Sequence, residues 1–406
     1  MKITNRYVVA TAGVILHLML GSTYAWSVFR NPMMTETGWS QSSIAFAFSL
    51  AIFCLGMSAA FVGRFVERFG PRLVGSFSAI FYGGGTMLTG LAIQHHNLTL
   101  LYLGYGLIGG LGLGAGYITP VSTIIKWFPD KRGLATGMAI MGFGFASLLT
   151  SPIAQLLMTS RGVVETFYLL GFLYFSVMII AAQFIQKPSA SEFAAVSKSI
   201  PGGAALEQGY SAHEAIRTPE FYTLWFLLFI NIACGLALIS VVAPISQDLA
   251  HLTPTDAALA VGLMGIFNGF GRLVWASLSD WLGRSMTMIL LFVVNILMML
   301  MLMVVHVPII FIGALAILMT CYGAGFSLIP PYLSDLFGAK ELATLHGYIL
   351  TAWAVAALVG PMLLSITFEI THSYYSTLGL FIGLYTLAFG VALRLHLSLS
   401  RQKQIL

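Results

Sequence analysis

Residues 63–72 read GRFVERFGPR, and 213 residues after Glu67 the chain returns to the same theme in ASLSDWLGR at 276–284, where Asp280 takes the place of the acid. In each copy the carboxylate stands three positions before a glycine, Gly70 or Gly283, and an arginine follows, Arg72 or Arg284. A second pair echoes the first. Phe128 leads into PDKRGLATG at 129–137 and Phe337 into GAKELATLHG at 338–347, with Gly137 and Gly347 separated by 210 residues. Two unrelated motifs recurring at nearly one offset mean that the chain is built twice over.

The material between the motifs is apolar. Of 406 residues 58% are hydrophobic and 8% charged, with a mean hydropathy of +0.90. Soluble domains carry about 25% charged residues, so a globule of this composition could not clothe itself in polar groups. Lipid must replace the missing polar exterior. The net charge of +5 does not point to nucleic acid, because the basic residues are spread over short loops. Cys54, Cys234 and Cys321 fall in apolar stretches without a CxxC pair or a nearby His, and read as small core residues rather than disulfides or metal ligands.

A helix needs about 20 apolar residues to cross the hydrocarbon core. The polar breaks divide the chain into twelve such segments, expected near 7–29, 41–62, 73–94, 99–123, 134–158, 166–186, 221–244, 257–277, 286–305, 308–331, 345–368 and 375–394. The first is read as a span, not a removed signal, since no small-residue cleavage site follows it. If the N-terminus is inside, sixteen of the nineteen Lys and Arg residues lie on the cytoplasmic side, Arg30 and Arg161 lie outside, and Arg272 lies within a span. That bias predicts a multi-pass protein of the cell (cytoplasmic) membrane with both termini cytoplasmic. The connection 187–219, rich in Ser, Ala and Gly, then links an N-terminal six-helix bundle (1–186) to a C-terminal one (220–406). Such a 6+6 repeat suits a carrier that rocks about a central site.

The acid, arginine and glycine pattern after spans two and eight resembles the signature of the major facilitator superfamily. Gly63, Glu67, Arg68, Arg72, Asp280 and Arg284 carry it, and the resemblance implies a latch in which Glu67 or Asp280 accepts from a helix N-terminus or an arginine and holds the halves together in one state. GSTYAWSVF (21–29), GYITPVSTIIKWFPDKRGLATG (116–137) and NGFGRLVWASLSD (268–280) are similar to the oxalate/formate antiporter family and its monocarboxylate-transporter relatives. The expected fold is therefore all-α, with twelve membrane helices in two pseudo-symmetric bundles. The fifth span, GMAIMGFGFASLLTSP, lacks the GxxxGPxxGG pattern of drug/proton antiporters.

All fourteen acidic residues fall in loops or at span ends, which leaves Arg272 in span eight without an evident carboxylate partner. It lies eight residues before Asp280, ~12 Å along a helix, and an arginine at that depth costs about 2.5–3.5 kcal/mol on insertion scales. A small carboxylate complements it, because the guanidinium fork matches two carboxylate oxygens. Asn268, one turn earlier, shares its face. The monocarboxylate transporters have an Asp there that is linked to proton coupling, and Asn cannot replace it in that role. Oxalate carriers of the family place a Lys in span eleven, where HGYILTAWAVAALVG (346–360) puts Trp353. One cation instead of two favours a monoanion of the lactate, pyruvate or formate class over a dianion.

The resemblance also assigns Tyr24, Tyr117, Phe143, Tyr322 and Phe326 to an aromatic cavity lining; packing against lipid or other helices is the alternative. With no acid mid-membrane, His17 and His346 remain as candidate proton carriers. The expected partners are a small organic anion, the bilayer, and a co-transported proton or counter-anion. No metal, cofactor or enzymatic constellation is visible. An oxalate/formate-type dicarboxylate antiporter is one alternative function, and a transporter-like metabolite sensor is another.

Overall fold

A computed structural model describes residues 5–189 and 209–405. Among these residues the secondary structure is entirely helical. Eleven helical stretches are long and apolar enough to cross a bilayer, and one of them, Gly133–Phe184, runs to 52 residues. At 1.5 Å per residue that is ~78 Å, far beyond a 30 Å hydrocarbon core. Gly162 resolves the excess. Its backbone (φ 82°, ψ 168°) interrupts the helix Arg132–Phe184 and turns it back, so that one stretch supplies spans five and six. Twelve spans result, as the hydropathy predicts.

The helices overrun the expected boundaries. Span one is Arg6–Leu20, a 3-10 turn Gly21–Ala25 and a further helix Trp26–Thr37, and span two is Gln41–Phe69. Ser40, Thr218 and Thr253 cap spans two, seven and eight by accepting backbone N–H groups of the first turn. The duplication is visible in the backbone. Gly70 (φ 86°, ψ 161°) ends span two and opens span three, and Gly283 (φ 86°, ψ 152°) does the same between spans eight and nine. At that φ a side chain is strained, so both copies retain glycine.

Close packing joins the first six spans to the last six along two seams, span two against span eleven and span five against span eight. Gly63 lies directly on the backbone of Ala343 and Thr344, and Gly133 on the carbonyl of Ala276. Any Cβ at either position would collide with main chain, which does not yield. Higher on the second seam Gly137 abuts the backbone of Arg272 and Leu273. Both described chain ends lie at the end of the molecule that carries Glu67 and Asp280: Arg6 pairs with Asp130 at 3.2 Å, and Ser285 bonds His396 at 2.7 Å.

Most of the 187–219 connection lies outside the described residues. Its far end is fastened to the last six spans, with the Tyr210 N–H donating to the Phe337 carbonyl at 2.9 Å and the Ala212 N–H to Glu341 at 2.7 Å. Two hydrogen bonds from Ser211 hold the Glu214 carboxyl below its ordinary range in a capping box.

Candidate substrate-binding site

Arg272 is wholly buried (0% exposed) in the helix Pro254–Leu282. Its Nε donates to Asn268 Oδ1 at 3.4 Å and its Nη1 to the Ile140 carbonyl at 3.3 Å, while Nη2 has no partner. Among the described residues no carboxylate pairs with it. The guanidinium instead lies over two rings, 4.9 Å from the Phe326 centroid and 5.6 Å from that of Phe143. Cation–π attraction of that kind contributes about 0.5–2 kcal/mol, which does not replace a counter-charge.

Every aromatic residue assigned to the cavity lining from the sequence gathers here, with Trp353. Trp353 packs on Phe326 (4.5 Å between centroids) and Tyr117 (5.3 Å), Tyr24 on Phe143 (5.1 Å), and Tyr322 on Phe326 (5.5 Å). Spans one, four, five, eight, ten and eleven each contribute. The hydroxyls of Tyr24, Tyr117 and Tyr322, the Trp353 indole N–H and Arg272 Nη2 are all buried without a well-formed hydrogen bond, Tyr24 standing near enough to Tyr322 and Arg272 to interact weakly with both. Buried polar atoms are normally paired, and each orphan costs about 1–3 kcal/mol. Four groups able to donate, collected around a guanidinium whose own Nη2 is free, match an acceptor-rich anion.

A cavity of about 550 Å³ opens at the end opposite Glu67 and Asp280. Tyr24, Asn268 and Trp353 form its deep part. Arg272 is not in its wall: the aromatic layer seals it beneath the floor. Arg30, read from the sequence as a loop cation, lies instead in the helix Trp26–Thr37 and lines the cavity together with Trp26, one turn before it. Its Nε is buried and unpartnered. The spacing of Trp26 and Arg30 was the signal that places both on one face.

His17 and His346 lie on the far side of the aromatic layer, toward the closed end. His17 Nδ1 is 3.2 Å from the Gly13 carbonyl and Nε2 3.1 Å from that of Tyr117. The His346 ring stands 6.0 Å from Tyr117, and its Nδ1 has no partner.

Beyond them the seams close. Glu67 accepts from Lys126 (3.2 Å), from Lys187 (3.1 Å) and from the backbone N–H of Ala343 (3.1 Å) at the start of the helix Leu342–Ile349. Asp280 accepts from the N–H groups of Gly133 (2.9 Å) and Leu134 (2.8 Å) at the start of span five and pairs with Arg284 at 2.6 Å. Each carboxylate thus sits at a helix N-terminus across the seam, where the dipole favours it. Arg284 also reaches Asp335 at 3.1 Å. Arg68 and Arg72 take no part in these bridges: Arg68 lies over the ring of its neighbour Phe69, and Arg72 donates to Gln186 at 2.7 Å within the first six spans. Metal-ligating clusters are absent among the described residues, and the three cysteines are free and buried.

Twelve helices around a central cavity that is open at one end and bolted at the other define a polytopic membrane carrier. The chain belongs to the Major Facilitator Superfamily, whose family model matches residues 11–361. It is 29% identical to an oxalate:formate antiporter of Oxalobacter formigenes, over 88% of this chain and 83% of that protein. It is 24% identical to apicoplast pyruvate carrier 1 of Toxoplasma gondii, over 83% and 79%. Among solved structures it superposes on the proton:xylose symporter XylE with a TM-score of 0.74 at 14% identity, covering 95% of this chain and 94% of the other. The protein is a multi-pass membrane transporter, and its relatives are transporters rather than enzymes.

Proposed function

We propose that this carrier moves a small monocarboxylate of the lactate, pyruvate or formate class across the cell membrane by alternating access, through anion exchange or proton symport. The observation that carries the reading is Arg272, a buried cation with a free Nη2 and no acidic partner, surrounded by five orphaned polar atoms that include its own. A carboxylate supplies the counter-charge and fills the donors at once, and in a dry site that pairing is far stronger than in water. The ring faces accept a short carbon skeleton.

Positive-inside bias supports placing both termini, Glu67 and Asp280 in the cytoplasm, so that the cavity faces outward and the seams form the closed inner gate. Residues 1–186 and 220–406 then rock as two bundles about Arg272, with 187–219 as the link.

Dicarboxylate exchange is the second reading, favoured by the oxalate:formate antiporter among the relatives. Against it stands Trp353, fully buried in the aromatic cage where oxalate carriers of the resembled family place a second cation. Uptake of labelled lactate, pyruvate, formate and oxalate into proteoliposomes decides between them. A monocarboxylate taken up by the wild type and lost in Arg272→Ala supports the first reading; oxalate taken up in preference by the wild type supports the second. Normal uptake by Arg272→Ala would remove the basis for both.

A further inference from the structure

Both ring nitrogens of His17 face backbone carbonyls, Gly13 of its own helix at 3.2 Å and Tyr117 of span four at 3.1 Å. A neutral imidazole has one N–H to give; the other nitrogen then presents a lone pair to a carbonyl lone pair. An imidazolium donates to both. Both carbonyls are satisfied only by the protonated ring, whose charge the complete burial of the residue mid-span otherwise opposes.

The groups that face it explain when such a charge is tolerated. Span four presents Tyr117, whose ring stands edge-on at 5.3 Å, and span five presents Phe143 at 6.4 Å. Arg272 of span eight lies against the same Phe143 and acts electrostatically on His17. His346 of span eleven also contacts Tyr117, and it is in turn acted on electrostatically by His17. No carboxylate belongs to this set. A second cation beside an uncompensated Arg272 is repelled through a low-dielectric wall. An anion on Arg272 Nη2 cancels that repulsion, which leaves the two carbonyls to offset the desolvation of the buried ring.

We propose that His17 is the proton-binding residue of the carrier and that it takes up its proton when a carboxylate occupies Arg272. This rests on the carboxylate reading above. The proton comes from water on the cavity side once the aromatic layer has parted for the substrate, adds to the ring nitrogen that lacks one, and returns to water at the gate end after the carrier has reoriented. One N–H bond forms and breaks, and a monoanion and a proton cross together without net charge. Coupling runs from span eight to span one through Phe143, which removes any need for an acid at Asn268.

Binding of pyruvate to the purified carrier, measured by titration calorimetry across pH 5 to 8, tests the link. Reciprocity requires affinity to rise as pH falls, by up to about tenfold per pH unit. His17→Gln is expected to bind with a flat profile, to keep pyruvate–pyruvate exchange at a reduced rate, and to lose accumulation driven by an inward proton gradient. His346→Gln is expected to keep the slope. If His17→Gln does not fold, histidine-selective 15N NMR of the wild type reads the same event: one ring becomes an imidazolium when pyruvate is added. A sloping profile in His17→Gln, a flat one in the wild type, transfer of the slope to His346, or an unchanged NMR spectrum with pyruvate bound overturns the proposal and leaves carboxylate transport standing. A wild type that binds neither pyruvate nor formate overturns both.

Discussion

The Glu67 carboxylate accepts the backbone N–H of Ala343, 276 residues further along the chain, at 3.1 Å. Its counterpart Asp280 takes two such groups, from Gly133 and Leu134, on the opposite seam. Because each acid engages main chain at the start of a helix, neutralising it removes a charge–dipole attraction without altering shape. Charge-assisted bonds of this kind are each worth about 1.5–3 kcal/mol. Glu67→Gln and Asp280→Asn are therefore expected to shift the carrier toward its gate-open form by roughly one order of magnitude each. Spin labels at the exposed Lys131 and Lys340 report it as a longer distance population, greatest in the double variant.

On the carboxylate reading proposed above, replacing Arg272 removes the counter-charge for the substrate. Arg272→Ala is expected to lower kcat/KM for a monocarboxylate by about 100-fold or more, equivalent to roughly 3 kcal/mol. Arg272→Lys is expected to recover little, since an ammonium cannot donate to Asn268, Ile140 and an anion with the same planar fork. Near-normal uptake in the lysine variant would show that charge alone suffices.

Trp353 offers a substitution that tests selectivity by gain. Trp353→Lys places a second cation beside Tyr117 and Phe326, and oxalate uptake is expected to appear while monocarboxylate uptake falls. The same change sacrifices a large buried ring, which costs about 3 kcal/mol or more of stability in comparable truncations. A lower melting temperature without any oxalate uptake would count against the two-cation rule.

Arg30 lines the route to the floor of the cavity and is expected to attract anions to it. Arg30→Gln should raise the half-saturation concentration from the cavity side by a factor on the order of ten at low salt, with the gap narrowing as ionic strength increases. Maximal rate should change little. A half-saturation constant that is equal at both salt levels would assign Arg30 a purely structural role.

The number of spans and the repeat are legible in the sequence because bilayer thickness and motif spacing impose them directly. Their lengths are less so. The helix Gln41–Phe69 continues past the apolar run through Arg64, Glu67 and Arg68, good helix formers that project beyond the hydrocarbon while their backbone stays hydrogen-bonded. Span one likewise runs on to Thr37 through Arg30. The residues around Arg272 are legible through the resemblance, but their closure over it is not, since that depends on how six rings pack together. Nor could the sequence separate Arg68 and Arg72, which bond within their own half, from Glu67, which reaches across.

If Arg272 receives a carboxylate as proposed, the sealed floor over it has a consequence for ions that are abundant but not wanted. Chloride carries the charge that the guanidinium lacks, yet it brings no carbon body to replace the ring contacts that must part to admit it. It would gain one attraction and forfeit several. On the proposed reading, lactate or pyruvate would replace ring with methyl on entering, so the toll would fall selectively on inorganic competitors, and discrimination would begin with parting the cover rather than with the cation beneath it.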